Sequence, residues 1–189
     1  MTPNARVPAG YGTVTPWLIS RDSAALIRFL ESAFSAEEIA GSRMHNSDGS
    51  IAHVEVKVGG SILMLFDSYE GWPDTPGFFR VYVEDADATY EQAMRFGATS
   101  ITEVTELFWG DRVGRICDPF GNIWWLQTHA RDLTPDEMQA RMQDPGMVEA
   151  MQYVQRTLVD ALRVRAARPS ETSSGGSTTT PSSSSSSAG

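Results

Sequence analysis

The stretch FWGDRVGRICDPFGNIWWLQTH, residues 108–129, decides the fold. An extended run over 111–117 meets a tight turn, Asp118-Pro119-Phe120-Gly121-Asn122, and the chain returns through 123–129, rich in aromatic and β-branched side chains. Pro119 fixes φ at the turn, and Gly121 or Asn122 supplies the positive φ that sets the register. On the returning strand Ile123, Trp125, Gln127 and His129 share one face, and Trp124, Leu126 and Thr128 the other. Both faces are therefore expected to be at least half buried.

Working outward, a chain of 189 residues, 41% hydrophobic, suits one domain or two small halves sharing an interface. The formal charge of −9 and a single lysine, Lys57, argue against a nucleic-acid partner, because phosphate neutralisation needs a basic surface. No apolar run approaches the roughly 20 residues that span a bilayer, and the N-terminal stretch lacks the apolar centre of a signal peptide. The expectation is a cytoplasmic protein with no membrane partner. Cys117, the only cysteine, cannot form an intramolecular disulfide and reads as a packed thiol rather than a nucleophile.

Upstream of the hairpin the pattern occurs twice. A strand over 13–20, held to an edge or a strand start by Pro16, precedes a helix over 24–34 that Asp22 or Ser23 caps. Strands over 40–45 and 50–58 follow, joined by Asp48-Gly49, and Gly59-Gly60 leads to a strand over 61–66. The second half opens with a strand over 78–83, then a helix entered through Glu84-Asp85 and closed at Gly97. A strand near 100–104 and the hairpin complete it. Both halves thus read β-α-β-β-β, and similar helix ends, Phe34-Ser35-Ala36 and Phe96-Gly97-Ala98, mark an internal duplication.

Such a duplication, with WGDRVG, DPFGNIWWLQTH and the DGSIAHVEVKVGGSILML segment, resembles the glyoxalase, bleomycin-resistance and extradiol-dioxygenase superfamily (the vicinal-oxygen-chelate fold), and within it the PhnB-like branch. The resemblance implies an α+β fold: two tandem βαβββ modules, about 13–70 and 77–131, forming a cleft-shaped sheet, with C-terminal helices added. The remaining boundaries are a flexible N-terminus over 1–12, a helical extension over 132–168 and a disordered Ser/Thr-rich tail over 169–189.

Metal-dependent members of that family place ligands at four positions, which by resemblance fall on Thr15, Met64, Phe78 and Trp125. None of the four is a usable ligand for a divalent cation, so no metal and no cofactor is expected. Strand alternation from the same positions adds Trp17, Phe66, Arg80, Tyr82 and Gln127 to a cleft of aromatic walls with a few polar handles, suited to planar or cationic ligands. The plainer alternative is that these aromatics fill a collapsed core between the halves.

On the third strand His53, Glu55 and Lys57 share a face opposite Val54, Val56 and Val58. The valines are expected against the helix, which turns His53 and Glu55 to the cleft as an acid–base or ligand-orienting pair. Trp109 is expected as a cavity wall, and Asp111 with Arg112 as a hydrogen-bonded set at the hairpin mouth, Arg112 also reaching for an anionic group. No phosphate loop, nucleophile elbow or dinucleotide fingerprint is present.

Past the hairpin, Thr134-Pro135-Asp136-Glu137 is a capping box for a helix over 135–143. Asp144-Pro145-Gly146 breaks it before a second helix over 147–165, whose stripe of Met147, Met151, Val154, Leu158 and Leu162 needs a partner in the same fold or in a second subunit. The function expected is a metal-independent small-molecule binder, a homodimer holding an aromatic or cationic ligand, with antibiotics in the candidate class. Catalysis is left open with the balance against it. The alternatives are a lyase or isomerase using His53 and Glu55, with or without a divalent metal, and an accessory protein whose C-terminal helices recruit a partner.

Overall fold

Two aspartates start the two module helices in the same way. Asp22 accepts the backbone N–H of Ala25 at 2.8 Å, and Asp85 that of Ala88 at 3.0 Å, satisfying donors that a helix N-terminus leaves unpaired. The computed structural model describes residues 6–167, so the tail expected to be disordered lies outside the described residues. The first half comprises β1 (Trp17–Ser20), α1 (Ser23–Phe34), β2 (Glu37–Glu38), β3 (Met44–His45), β4 (Ile51–Val58) and β5 (Ser61–Asp67). The second comprises β6 (Phe78–Tyr82), α2 (Ala86–Arg95), β7 (Thr99–Glu106), β8 (Asp111–Cys117) and β9 (Ile123–His129). Helices α3 (Pro135–Met142) and α4 (Pro145–Ala166) follow.

Each half builds its own sheet, in the orders β1-β5-β4-β2, with β3 pairing β4, and β6-β9-β8-β7. In both, the first strand runs parallel to the last, Trp17 opposite Met64 and Phe78 opposite Ile123. The α+β architecture of paired modules is the expected one, but it takes the form of two sheets that share no hydrogen-bonded strand pair. Some limits differ from expectation. Pro16 has no N–H for a ladder, and the strand proper begins at Trp17. Of the strand expected over 40–45 only β3 forms, while β2 lies before it, and α4 starts at Pro145, with Asp144 accepting the Met147 N–H. Proline at the first helical position gives up a donor that would be unpaired anyway.

One core joins the halves on the helix side of both sheets. Val54, Val56 and Val58 of β4 and Leu63 and Leu65 of β5 pack with Leu26, Leu30 and Ala33 of α1, and the same cluster takes in Ile116, Trp124 and Leu126. Phe34 closes α1 on the Trp124 ring, centroids 4.9 Å apart, and Phe79 stacks on that ring at 4.7 Å. The DPFGN turn anchors this arrangement. Asp118, 4% exposed, accepts the N–H groups of Phe120 and Asn122, the Asn122 amide and the Trp124 indole N–H, all at 2.8–2.9 Å. Asn122 in turn accepts the N–H of Gly77 at 2.8 Å, where β6 begins. Gly121 takes φ 90° to make the reversal, which a side chain would oppose.

The faces opposite that core are covered unevenly. Helix α4 crosses the second sheet over β7 and β8, with Val154 in a small cluster with Leu107, Val113, Trp109 and Trp125. Its stripe therefore finds a partner within the chain, although Leu162 stays 42% exposed. Residues 6–12, expected to be flexible, run against the first sheet, where Gly10 lies beside Ile62 and Tyr11 reaches Glu55. Among the described residues no helix is long and apolar enough to cross a membrane.

Candidate functional site

Alternation on β1 and β5 sends Leu18, Leu63 and Leu65 to the core and leaves Trp17, Met64 and Phe66 on the face without a helix. Trp17, 63% exposed, meets Phe66 edge to face at 5.6 Å. Phe66 meets Trp72 at 6.3 Å, and Trp72 meets Tyr69 at 5.0 Å. Four rings thus line one side of the first sheet in a series, a geometry favoured by the aromatic quadrupole. Glu55, opposite Met64 in the β4–β5 register, is an acidic group on this face. Its carboxylate accepts the Tyr11 hydroxyl, and its other oxygen lies 3.4 Å from His53 Nε2. The bond to Glu55 is the main reason the Tyr11 hydroxyl is held above its ordinary pKa of 10.0.

The second sheet presents ordered rows. Phe78, Ile123 and Cys117 form one, Arg80, Trp125 and Arg115 the next, and Tyr82, Gln127 and Val113 the third. The middle row stacks two guanidiniums on one indole, with Arg115 Cζ 4.0 Å and Arg80 Cζ 4.9 Å from the Trp125 ring centre. Arg115 is 4% exposed. Its Nη1 donates to the carbonyl of Val154 at 2.7 Å and to Thr102 Oγ1 at 3.2 Å. Burial first, then the charge of Arg80, pushes its pKa down to about 10. Farther along, buried Asp111 accepts from Trp109 Nε1 at 3.1 Å, from the Gln127 amide, and from His129 Nδ1 at 2.8 Å.

Most of the residues singled out from the sequence fall on these two faces. Trp17, His53, Glu55, Met64 and Phe66 gather on the first sheet, and Phe78, Arg80, Tyr82, Trp125 and Gln127 on the second. Four lie apart from the exposed patches, among them Trp125, which packs in the α4 cluster, and Gln127, which is buried against Asp111. Trp109 packs under α4. Arg112 points to the helix side, where its guanidinium holds Asp87 of α2 by two bonds of 2.6 and 2.7 Å and depresses that carboxyl. Asp111 and Arg112, expected to act as one set, thus separate because neighbouring strand residues point to opposite faces. Sequence reasoning missed Arg115, which β8 alternation from Asp111 and Val113 marks, and Tyr11, which no local pattern connects to Glu55.

Hydroxyl, thioether and two aromatic rings, from Thr15, Met64, Phe78 and Trp125, do not fit the divalent cation that the fold implies. Among the described residues no group of three or more His, Cys, Asp or Glu side chains converges to hold a metal ion. Concavities form elsewhere. One of about 180 Å³ sits between Arg21, Pro73, Asp74 and Phe120, and one of about 210 Å³ between Phe108, Met142, Met147 and Met151.

Residues 12–126 match the family model described as Glyoxalase/Bleomycin resistance protein/Dioxygenase superfamily. The chain is similar to the uncharacterised protein Mb0911c of Mycobacterium bovis, 33% identical over 144 residues that cover 70% of this chain and 93% of that protein. Among solved structures, TioX from Micromonospora sp. ML1 superposes with a TM-score of 0.53 at 22% identity, over 62% of this chain and 99% of that one, a likeness of fold. A putative 3-demethylubiquinone-9 3-methyltransferase, PhnB protein, from Bacillus cereus aligns over 62% of this chain and 99% of its own at 17% identity and a TM-score of 0.48.

Proposed function

The chain belongs to the Glyoxalase/Bleomycin resistance protein/Dioxygenase superfamily, and from that footing we propose that it is a metal-independent small-molecule-binding protein that holds an aromatic ligand on the sheet faces turned away from α1 and α2. The observation that carries this is the exposure of Trp17, Phe78 and Tyr82, at 63, 52 and 64%, on strands that end their sheets. Large rings left uncovered on each face mark a binding surface. A homodimer fits the same observation, because an edge of β1 set against an edge of β6 from a second copy encloses both aromatic faces. Glu55 beside the Trp17 and Phe66 rings favours a cationic group on the first face, and sequestration of an antibiotic needs affinity alone.

Titration of tryptophan fluorescence with planar aromatic compounds, neutral and cationic, tests this. Saturable quenching that Trp17→Ala weakens at least tenfold is the expected result. Quenching that is linear with concentration and indifferent to the variant overturns it.

A second reading, a lyase or isomerase, is favoured by the Tyr11–Glu55–His53 chain, which joins a proton donor, a carboxylate and an imidazole on one face. Elemental analysis of protein purified without tag or chelator separates the readings. Stoichiometric divalent metal lost in both His53→Ala and Glu55→Ala favours the enzyme; protein free of metal with unchanged ligand quenching favours the binder.

A further inference from the structure

Four buried side-chain polar atoms lack a hydrogen-bond partner among the described residues, and three of them, Arg115 Nε, Trp125 Nε1 and Gln127 Oε1, lie on the face of β8 and β9 that α4 partly covers, with Arg80 of β6 at its exposed margin. Two of the three are donors in adjacent positions, since Arg115 and Trp125 are cross-strand partners. Buried polar groups in folded proteins are overwhelmingly satisfied, so neighbouring orphan donors point to an acceptor not supplied by the chain. Charge points the same way. Arg80 and Arg115 flank one indole, and neither has an ion pair among the described residues. The carboxylate on the same face of β8, Asp111, is already engaged by Trp109, Gln127 and His129. In a chain of net charge −9, two unopposed guanidiniums in one row are a local inversion of sign.

We propose that this row, Arg80–Trp125–Arg115, receives the carboxylate of an aromatic organic acid. The proposal rests on the reading of the sheet faces as ligand-binding surfaces and adds the charge of the ligand. A guanidinium presents planar N–H donors that match a carboxylate, and Phe78 and Tyr82, two residues either side of Arg80 on the same face of β6, offer exposed rings for the body of the acid. Arg115 is tied to α4 through the Val154 carbonyl, so it gives the row a fixed charge, whereas exposed Arg80 gives it an adjustable one. Both guanidiniums lie over the Trp125 indole, whose cation–π attraction steadies the two charges in one row.

Calorimetric titration of the full chain with benzoate, benzylamine and benzyl alcohol at constant ionic strength tests the proposal, with sodium chloride as the inorganic anion. Benzoate is expected to bind at least tenfold more tightly than benzylamine, with benzyl alcohol between them. Arg80→Gln is expected to weaken benzoate at least tenfold, and Arg80→Glu to reverse the ranking of benzoate and benzylamine. Because Arg80 is exposed, both variants keep the melting temperature of the unliganded protein. Benzyl alcohol binding as well as benzoate, with Arg80→Gln neutral, overturns the charge assignment while leaving the aromatic surface intact. Chloride competing on equal terms with benzoate overturns the organic acid in favour of an inorganic anion. Failure of all three aromatic probes sinks the proposal and the surface reading together.

Discussion

His129 shows how a single side chain on the second sheet becomes sensitive to pH. Its imidazole is held above the ordinary value by bonds to Asp132, at 3.0 Å, and Asp111, at 2.8 Å. The Asp132 side chain is fully exposed, so water and salt screen that contact, and buried Asp111 supplies the more durable one. A raised folded-state value means that the stabilisation is complete below the unfolded pKa near 6.5 and is lost as pH rises through the higher folded value. Thermal melts of wild type and His129→Asn are therefore expected to differ most near pH 5.5 and to converge in alkaline buffer. A gap that widens above pH 8 contradicts the assignment. Asp118 makes the complementary case. Burial pushes its carboxyl up against four donors that pull it down, and Asp118→Asn turns an amide toward donors that need an acceptor. Urea unfolding is expected to register a loss of about 2–3 kcal/mol.

At the scale of elements, the two C-terminal helices are held very differently. Helix α3 has a complete capping box at Thr134 and Glu137 but no buried residue. Thr134→Ala is expected to speed amide exchange over 135–142 while leaving the global melting temperature within about a degree, since a cap is worth about 1 kcal/mol and no residue of this helix is buried. Helix α4 instead buries Val154 to 1% exposure against the second sheet. Val154→Ala removes two methyl groups from that contact and is expected to cost about 2 kcal/mol of stability, read from the urea midpoint at unchanged slope. Asp144-Pro145-Gly146, read as a break, supplies the cap and first turn of α4, whereas the capping box of α3 was legible in the sequence, as were the aspartate caps of α1 and α2 and the hairpin with its Gly121 turn. The course of α4 over β7 and β8 was not. Its stripe of apolar residues specifies a need for cover, while the cover itself is fixed by Thr102, Val113 and Arg115, more than thirty residues upstream in the chain.

For the whole molecule, the paired modules were legible because helix caps and turns are local signals that occur twice. The site was legible as two sets of alternating aromatics, but not as two separate faces, because the relation between β1–β5 and β6–β9 depends on packing of α1, α2 and Trp124 rather than on either strand's own pattern. Enclosure of those faces by a second copy predicts sedimentation at twice the 20.7 kDa chain mass, and Trp17→Glu, which puts a charge where the β1 edge is to be covered, is expected to yield monomer at micromolar concentration. Monomeric wild type at that concentration counts against the enclosed site.

The parallel pairing of first and last strands also sets the order in which this chain can fold. Trp17 waits for Met64 and Phe78 for Ile123, so neither sheet closes until almost its whole half has left the ribosome. The two loops are nearly equal in length, and closure entropy grows only with the logarithm of length. Neither half therefore has a topological head start, and during synthesis the first gains its order from having been translated earlier, with β1 unpaired until β5 emerges.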